Sequence, residues 1–210
     1  MTAPLREPPA LHDRALQDLS FIRRTMEGAA SFTDVPGWGL AAVGATALGA
    51  AVLADLQPLP GRWLAVWLAE AFLAATLAGG MMLRKMRRRA PAGTVAVLSV
   101  PGRKFLLGFW PAIFAGAVLT FSLVDFSALG DSTQQVPAIL PGLWLLLYGV
   151  GVLTAGAFSV RAVPLMGVCF MALGAIALLV PAVPAVLVLA LGFGALQIVF
   201  GVFIARRHGG

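Results

Sequence analysis

One carboxylate, Glu70, stands inside the apolar stretch WLAVWLAEAFLAATLAGG at residues 63–80. An acid in such a run has two uses. It can hold a proton or a cation, or it can close a hydrogen bond to a neighbouring helix. A charged side chain at the centre of a membrane helix costs on the order of 2.5–3.5 kcal/mol, less off-centre, so a partner or a proton is expected. Counted from Trp63 at about 1.5 Å per residue, Glu70 lies roughly 10 Å deep. No other acid or base lies deep in an apolar run, so a salt bridge within the membrane is not open to it. The available hydroxyl and amide partners are Thr46, Thr76, Thr120, Tyr148, Thr154, Ser159 and Gln197. Gln197 is itself an uncommon residue for a span. It serves either as an interhelical hydrogen-bonding group or as a ligand contact. Glu70 and Gln197 together form the candidate ion or packing site.

Other chemistry is sparse. His12 and His208 lie near the two ends of the chain, so no apolar run carries a haem ligand. Cys169 is the sole cysteine, which excludes an intramolecular disulfide and a cysteine metal cluster. No phosphate-binding glycine loop, nucleophile elbow or zinc-protease motif occurs. The expectation is no metal, no cofactor and no catalytic residue, hence no enzyme.

Membrane spans are the elements that must position Glu70. The chain is 60% hydrophobic and 11% charged, with a mean hydropathy of +0.91, whereas soluble domains carry roughly a quarter charged residues. Its apolar runs approach the length of about 20 residues needed to cross a bilayer core of about 30 Å. The pattern predicts an all-α polytopic membrane protein, a bundle of six transmembrane helices preceded by a cytoplasmic amphipathic helix. Residues 1–9 read as a disordered start. Residues 10–33 hold the amphipathic helix, with Leu11, Leu19, Ile22 and Met26 on its apolar stripe as contacts to a partner or to the membrane. The transmembrane domain covers 34–205, with spans at about 39–56, 62–83, 105–124, 140–160, 163–180 and 185–205, and residues 206–210 form a cytoplasmic tail. The basic, Pro/Gly-containing stretch 84–104 reads as a loop.

Fourteen of the fifteen Lys and Arg residues fall on one side of this topology, and only Arg62 falls on the other. Positive residues favour the cytoplasm, so both ends are expected inside. The net charge of +6 follows the topology and does not form a nucleic-acid surface. Arg84, Lys85, Arg87, Arg88 and Arg89 anchor that topology and are also candidate contacts to lipid headgroups. Partners expected from these features are the lipid bilayer and either a cytoplasmic protein or a second copy of the chain, with no nucleic acid.

Helices in a bilayer associate through close backbone approach. Gly37, Ala41, Ala45 and Gly49 at i, i+4, i+8 and i+12 predict a small-residue ridge on span one. Ala190, Gly194 and Gly201 predict another on span six, with Gln197 on the same face. PGWGLAAVGATALGA at 36–50 and PGLWLLLYGVGVLTA at 141–155 share Pro, Gly, Leu, Gly and Ala at equivalent positions, which raises the possibility of two three-helix halves.

In LHDRALQDLSFIRRTMEGAASFTDVPGWG and LWLLLYGVGVLTAGAFSVRAVPLMGVCFMALGA the chain resembles a group of uncharacterised small bacterial six-helix inner-membrane proteins. The resemblance covers most of the chain and implies a bacterial inner membrane. It brings no activity, cofactor or site residue. The residues point first to a non-enzymatic accessory, scaffold or sensor-type protein that docks a cytoplasmic partner through its N-terminal helix. The alternative is a small proton- or cation-coupled transporter with Glu70 as the ion site.

Reporter fusions test the orientation. Fusions after Arg89 and after His208 are expected to read cytoplasmic, and one within 127–135 external; reversal at any of the three contradicts it.

Overall fold

The computed structural model describes residues 16, 18–22, 36–89, 100–126, 136, 138–157, 159–180 and 182–208. Among them the fold is helical, with no strand. Six long helices follow one another: α1 Gly37–Asp55, α2 Pro60–Arg89, α3 Val100–Leu123, α4 Leu140–Gly156, α5 Ala162–Leu179 and α6. The last is continuous in three parts: Ala185–Leu189, a π-helical turn Ala190–Leu196, and Gln197–His208.

Proline sets several starts. Pro36 precedes α1 and accepts its first bond from Leu40 N at 3.0 Å. Pro60 opens α2, Pro141 lies in the first turn of α4, and Pro184 precedes α6. A first-turn proline loses nothing, because its absent N–H would have had no intrahelical partner. Pro111 sits inside α3, and the helix continues through it.

Among the described residues five helices are long and apolar enough to cross a membrane: α1, α2, α3, α5 and α6. The apolar α4 is shorter, at 17 residues. It ends sooner than the expected 140–160 because Gly156 packs against the backbone of Pro164, and Ser159 N closes a turn on Gly156 O at 2.9 Å. The stretch 84–104 corrects the expectation of a loop. The α2 helix runs through the basic residues to Arg89, and α3 already begins at Val100. Charge ends an apolar run, but Arg, Lys and Met are good helix formers and do not end a helix. At about 1.5 Å per residue, α2 is about 45 Å long, roughly 15 Å more than a bilayer core. Leu16 and Asp18–Ile22 are helical, and Leu16, Leu19, Phe21 and Ile22 are exposed. The rest of the expected 10–33 helix, with Leu11 and Met26, lies outside the described residues.

The closest pairings are α1 with α2, α1 with α6, α3 with α4, and α4 with α5. Exchanging α1, α2 and α3 for α4, α5 and α6 leaves this set unchanged. Half of α1 is buried, against 11% of α2 and of α3, so α1 is central and those two helices flank the bundle. The innermost side chains are Leu64, Leu140, Leu145, Phe170, Leu189 and Ile204. Phe72, Phe121 and Leu179 point outward, where acyl chains would receive them.

Glycine sets the two tightest pairings. On α1 the glycines that touch a neighbour backbone are Gly37 and Gly44, seven apart, and on α6 Gly201 and Gly194 are likewise seven apart. On α4, Gly142 and Gly149 meet Gly174 and Gly167 of α5. In both pairs the order reverses along the partner, so the helices are antiparallel. A methyl group on Gly149 would lie 2.7 Å from Met171 N and 2.8 Å from Gly167 O; one on Gly44 would lie 2.7 Å from Gly194 O. Backbone cannot yield there as a side-chain tip can.

This corrects the small-residue ridge expected on span one. Gly37 and Ala41 are on it, but Ala45 and Gly49 are exposed, and nothing lies near Gly49. Steps of four residues drift by about 120° over twelve residues at about 100° each, whereas a step of seven returns to within about 20°. The ridge expected on span six is real at Gly194 and Gly201.

Gly44→Ala is expected to lower the thermal midpoint in detergent, at a cost of about 1–3 kcal/mol for overpacking, while Ala45→Leu leaves it near the parent value. The reverse order in thermal unfolding would place the wrong face of α1 in contact.

Candidate functional site

Glu70 belongs to the inner stripe of α2. Trp63, Trp67 and Glu70 fall at i, i+4 and i+7, and this spacing turns all three towards the bundle. Glu70 is 8% exposed. Its carboxyl meets Thr46 of α1, with Thr46 Oγ1 2.8 Å from Oε1. Of the hydroxyl and amide groups open to it in the sequence, the fold selects Thr46. Thr76 bonds Leu73 O of its own helix at 2.8 Å. Thr120 takes the indole N–H of Trp144 at 2.8 Å and gives its own proton to Gly116 O at 2.8 Å. Thr154 donates to Gly108 O of α3 at 2.7 Å, with Val150 O of its own helix also within 2.8 Å.

Thr46 Oγ1 is also 2.8 Å from Val43 O. A hydroxyl has one proton and two lone pairs, so it serves one of these two acceptors at a time. When Thr46 donates to Val43 O, the Glu70 contact requires a proton on the carboxyl. When the carboxyl is ionised, Thr46 turns its proton to Oε1. The pair therefore keeps a hydrogen bond with or without a proton on Glu70.

Gln197 is 2% exposed, in the first position after the π-helical turn. Its side-chain NH2 donates to Tyr148 Oη at 2.7 Å. The Tyr148 ring is held by Phe170 at 4.8 Å, Phe193 at 5.2 Å and Phe109 at 5.7 Å between centroids. Phe193 also meets Trp67 of α2 at 6.5 Å. Gly39 of α1 faces Met81 of α2 while Thr46 faces Glu70, so α1 is antiparallel to α2 as it is to α6, and those two run in the same direction. From the Trp67–Phe193 level, Glu70 lies three residues on and Gln197 four. The sequence pairing of Glu70 and Gln197 thus corresponds to one depth in the bundle, but each has its own partner there and no hydrogen bond joins them.

The aromatic neighbours are not singled out by sequence, because Trp and Phe in apolar runs carry no positional signal. The i, i+4, i+7 spacing of Trp63, Trp67 and Glu70 is the available clue.

An apolar cavity of about 310 Å³ opens at the end of the bundle away from Arg84–Arg88. Gln57, Pro58, Trp63, Val136, Pro141 and Ala185 line much of it, and Glu70 does not. At the basic end Arg84, Arg87 and Arg88 are exposed and Lys85 is half-buried; Arg89 closes the helix. Leu19 and Ile22 are exposed on their short helical stretch. Among the described residues no three His, Cys, Asp or Glu side chains come together as a metal site would require. Comparison with protein-family models, curated proteins and solved structures finds no match.

Thr46→Val keeps the shape and removes the hydroxyl, leaving the buried carboxyl without its partner. A loss of about 1–3 kcal/mol is expected. Adding Glu70→Leu is expected to recover most of it, since removing both partners removes the orphan. Strict additivity of the two changes in thermal unfolding would show that the contact carries no coupling.

Proposed function

We propose that the chain is a non-enzymatic accessory, scaffold or sensor-type protein of the bacterial inner membrane. It crosses the bilayer six times, with both ends in the cytoplasm, and docks a cytoplasmic protein through the 10–33 helix. The sixth crossing is α4, whose 17 residues stand at the short end of the range for a spanning helix; at about 26 Å it falls about 4 Å short of a bilayer core, which local thinning of the bilayer accommodates. The basic extension of α2, Arg84 to Arg89, then stands in the headgroup layer, where each Lys or Arg attracts anionic lipid by about 1 kcal/mol.

The carrying observation is how the polar groups within the helices are used. Thr46 with Glu70, Trp144 with Thr120, Thr154 with Gly108, and Gln197 with Tyr148 each join one helix to another. The cavity is apolar and excludes Glu70. This fits a bundle whose polar groups fasten helices and whose interaction surface lies outside the membrane.

A second reading, a small proton- or cation-coupled transporter, is favoured by one observation. Thr46 can bond Glu70 in either protonation state, which suits a carboxyl that gains and loses a proton.

Variants at two places in the chain separate these readings. Leu19→Asp or Ile22→Asp is expected to detach the N-terminal segment, seen as increased protease cleavage there, while the spans still insert. Glu70→Gln is expected to leave both stability and cellular phenotype near the parent. Abolished proton-linked flux in a well-folded Glu70→Gln protein would establish the second reading instead.

A further inference from the structure

The cavity at the end of the bundle away from Arg84–Arg88 is assembled where three connections meet. Gln57, Pro58 and Pro60 come from the turn between α1 and α2, Ala138 and Pro141 from the approach to α4 and its first turn, and Ala185 from the start of α6; Trp63 adds a wall one turn into α2. Its volume is about 310 Å³. Small-molecule sites run from about 300 to 1,000 Å³ and are mostly apolar, with a few placed polar groups.

The walls are fixed before anything binds. Pro58, Pro60 and Pro141 have their φ angles set by the ring. Gln57 is held twice against the end of α1, by its backbone N–H on Ala54 O at 3.1 Å and by its side-chain Nε2 on Leu53 O at 2.9 Å. The Trp63 ring lies parallel to that of Trp144, at 4° and 6.2 Å between centroids. Trp144 is in turn anchored by its indole N–H on Thr120 Oγ1 at 2.8 Å. A preformed site loses little freedom when it binds.

The lining also defines the chemistry. None of the described residues that line the cavity is charged, and Asp55 and Arg62, which flank the turn, are not among them. An ion would give up its water there without a partner. Proline rings and an indole are flat, so a flat ring covers them, and a ring has less internal freedom to lose than a chain. The polar side-chain groups of the lining are the Gln57 amide and the Trp63 indole. The Gln57 NH2 is turned to Leu53 O, which leaves the amide oxygen as an acceptor for a ligand, while an indole N–H only donates. A hydroxyl serves both, since it donates one proton and accepts at its lone pairs. We propose that this cavity is a binding site for a small, neutral, hydroxyl-bearing aromatic molecule of the phenol class. Its occupant touches the ends of α1, α2, α4 and α6 together, which would give a sensor-type protein its input; that role rests on the function proposed above, whereas the binding does not.

The test follows the fluorine spectrum of the full-length protein, labelled with 5-fluorotryptophan and embedded in lipid nanodiscs, as 4-chlorophenol is added. The five tryptophan signals are assigned by single Trp→Phe replacements. The Trp63 signal is expected to shift to a plateau. Trp38 and Trp110, which are 53% and 65% exposed, should instead drift in proportion to the phenol dissolved in the lipid. Ala138→Phe, at an exposed wall position, fills the cavity and should remove the plateau; Ala185→Leu serves should that variant not fold. Gln57→Leu should raise the half-saturating concentration about three- to tenfold, the worth of one hydrogen bond. Chlorobenzene, without the hydroxyl, and 4-chlorobenzoate, with a charge, should give no plateau. The absence of a plateau at Trp63 with 4-chlorophenol would overturn the site, as would a plateau that persists in a folded cavity-filling variant. A plateau reached equally well with chlorobenzene or 4-chlorobenzoate would overturn the ligand class.

Discussion

Backbone-to-backbone approach at glycines seven residues apart is the constraint on which the rest of the bundle depends. Lipid tails are as apolar as leucine, so burial of leucine against leucine does little to choose one helix partner over another. Close approach does choose. Gly37 and Gly44 admit α6 to α1, and Gly149 and Gly167 admit α4 to α5. Each pair then carries a flanking helix, α2 on α1 and α3 on α4. The segments that open α1 and α4 share Pro-Gly and a glycine seven residues later. Those shared glycines are the ones in contact.

The polar groups follow from that frame. With α1 held against α6, Thr46 on its other side meets Glu70, and the parallel course of α2 and α6 brings Trp67 to Phe193. Gln197 meets Tyr148 because the π-helical turn precedes it. A chain this apolar has few polar atoms within its helices, and most of them are committed to specific neighbours. An interhelical hydrogen bond in a bilayer contributes on the order of 0.6–2 kcal/mol, enough to fix helix rotation once glycine has fixed distance.

Much of this is legible in the sequence. Runs of Ala, Leu, Val and Gly mark the helices, and prolines 36, 60, 141 and 184 mark their starts. Glu70 is visible as an exception in its run. Its partner is not, because Thr46 and six other polar residues are equivalent until helix rotation is known. The end of α2 is hidden because Arg84–Arg89 signals where the membrane ends, and residues of that type continue a helix without difficulty. The contact face of α1 is half legible: Ala45 and Gly49 match in size but drift off the face, and size alone does not report register. The π-helical turn leaves no trace in composition or spacing.

A glycine-to-alanine scan in a fixed detergent measures the glycine pairing most directly. Gly149→Ala, Gly167→Ala and Gly174→Ala should each lower the thermal midpoint, because the added methyl meets backbone of the opposite helix. Gly49→Ala, Gly79→Ala and Gly80→Ala have open space around them and should hold or raise it, since alanine is the better helix former by about 1 kcal/mol. Equal effects in the two groups would contradict a bundle organised by glycine contacts.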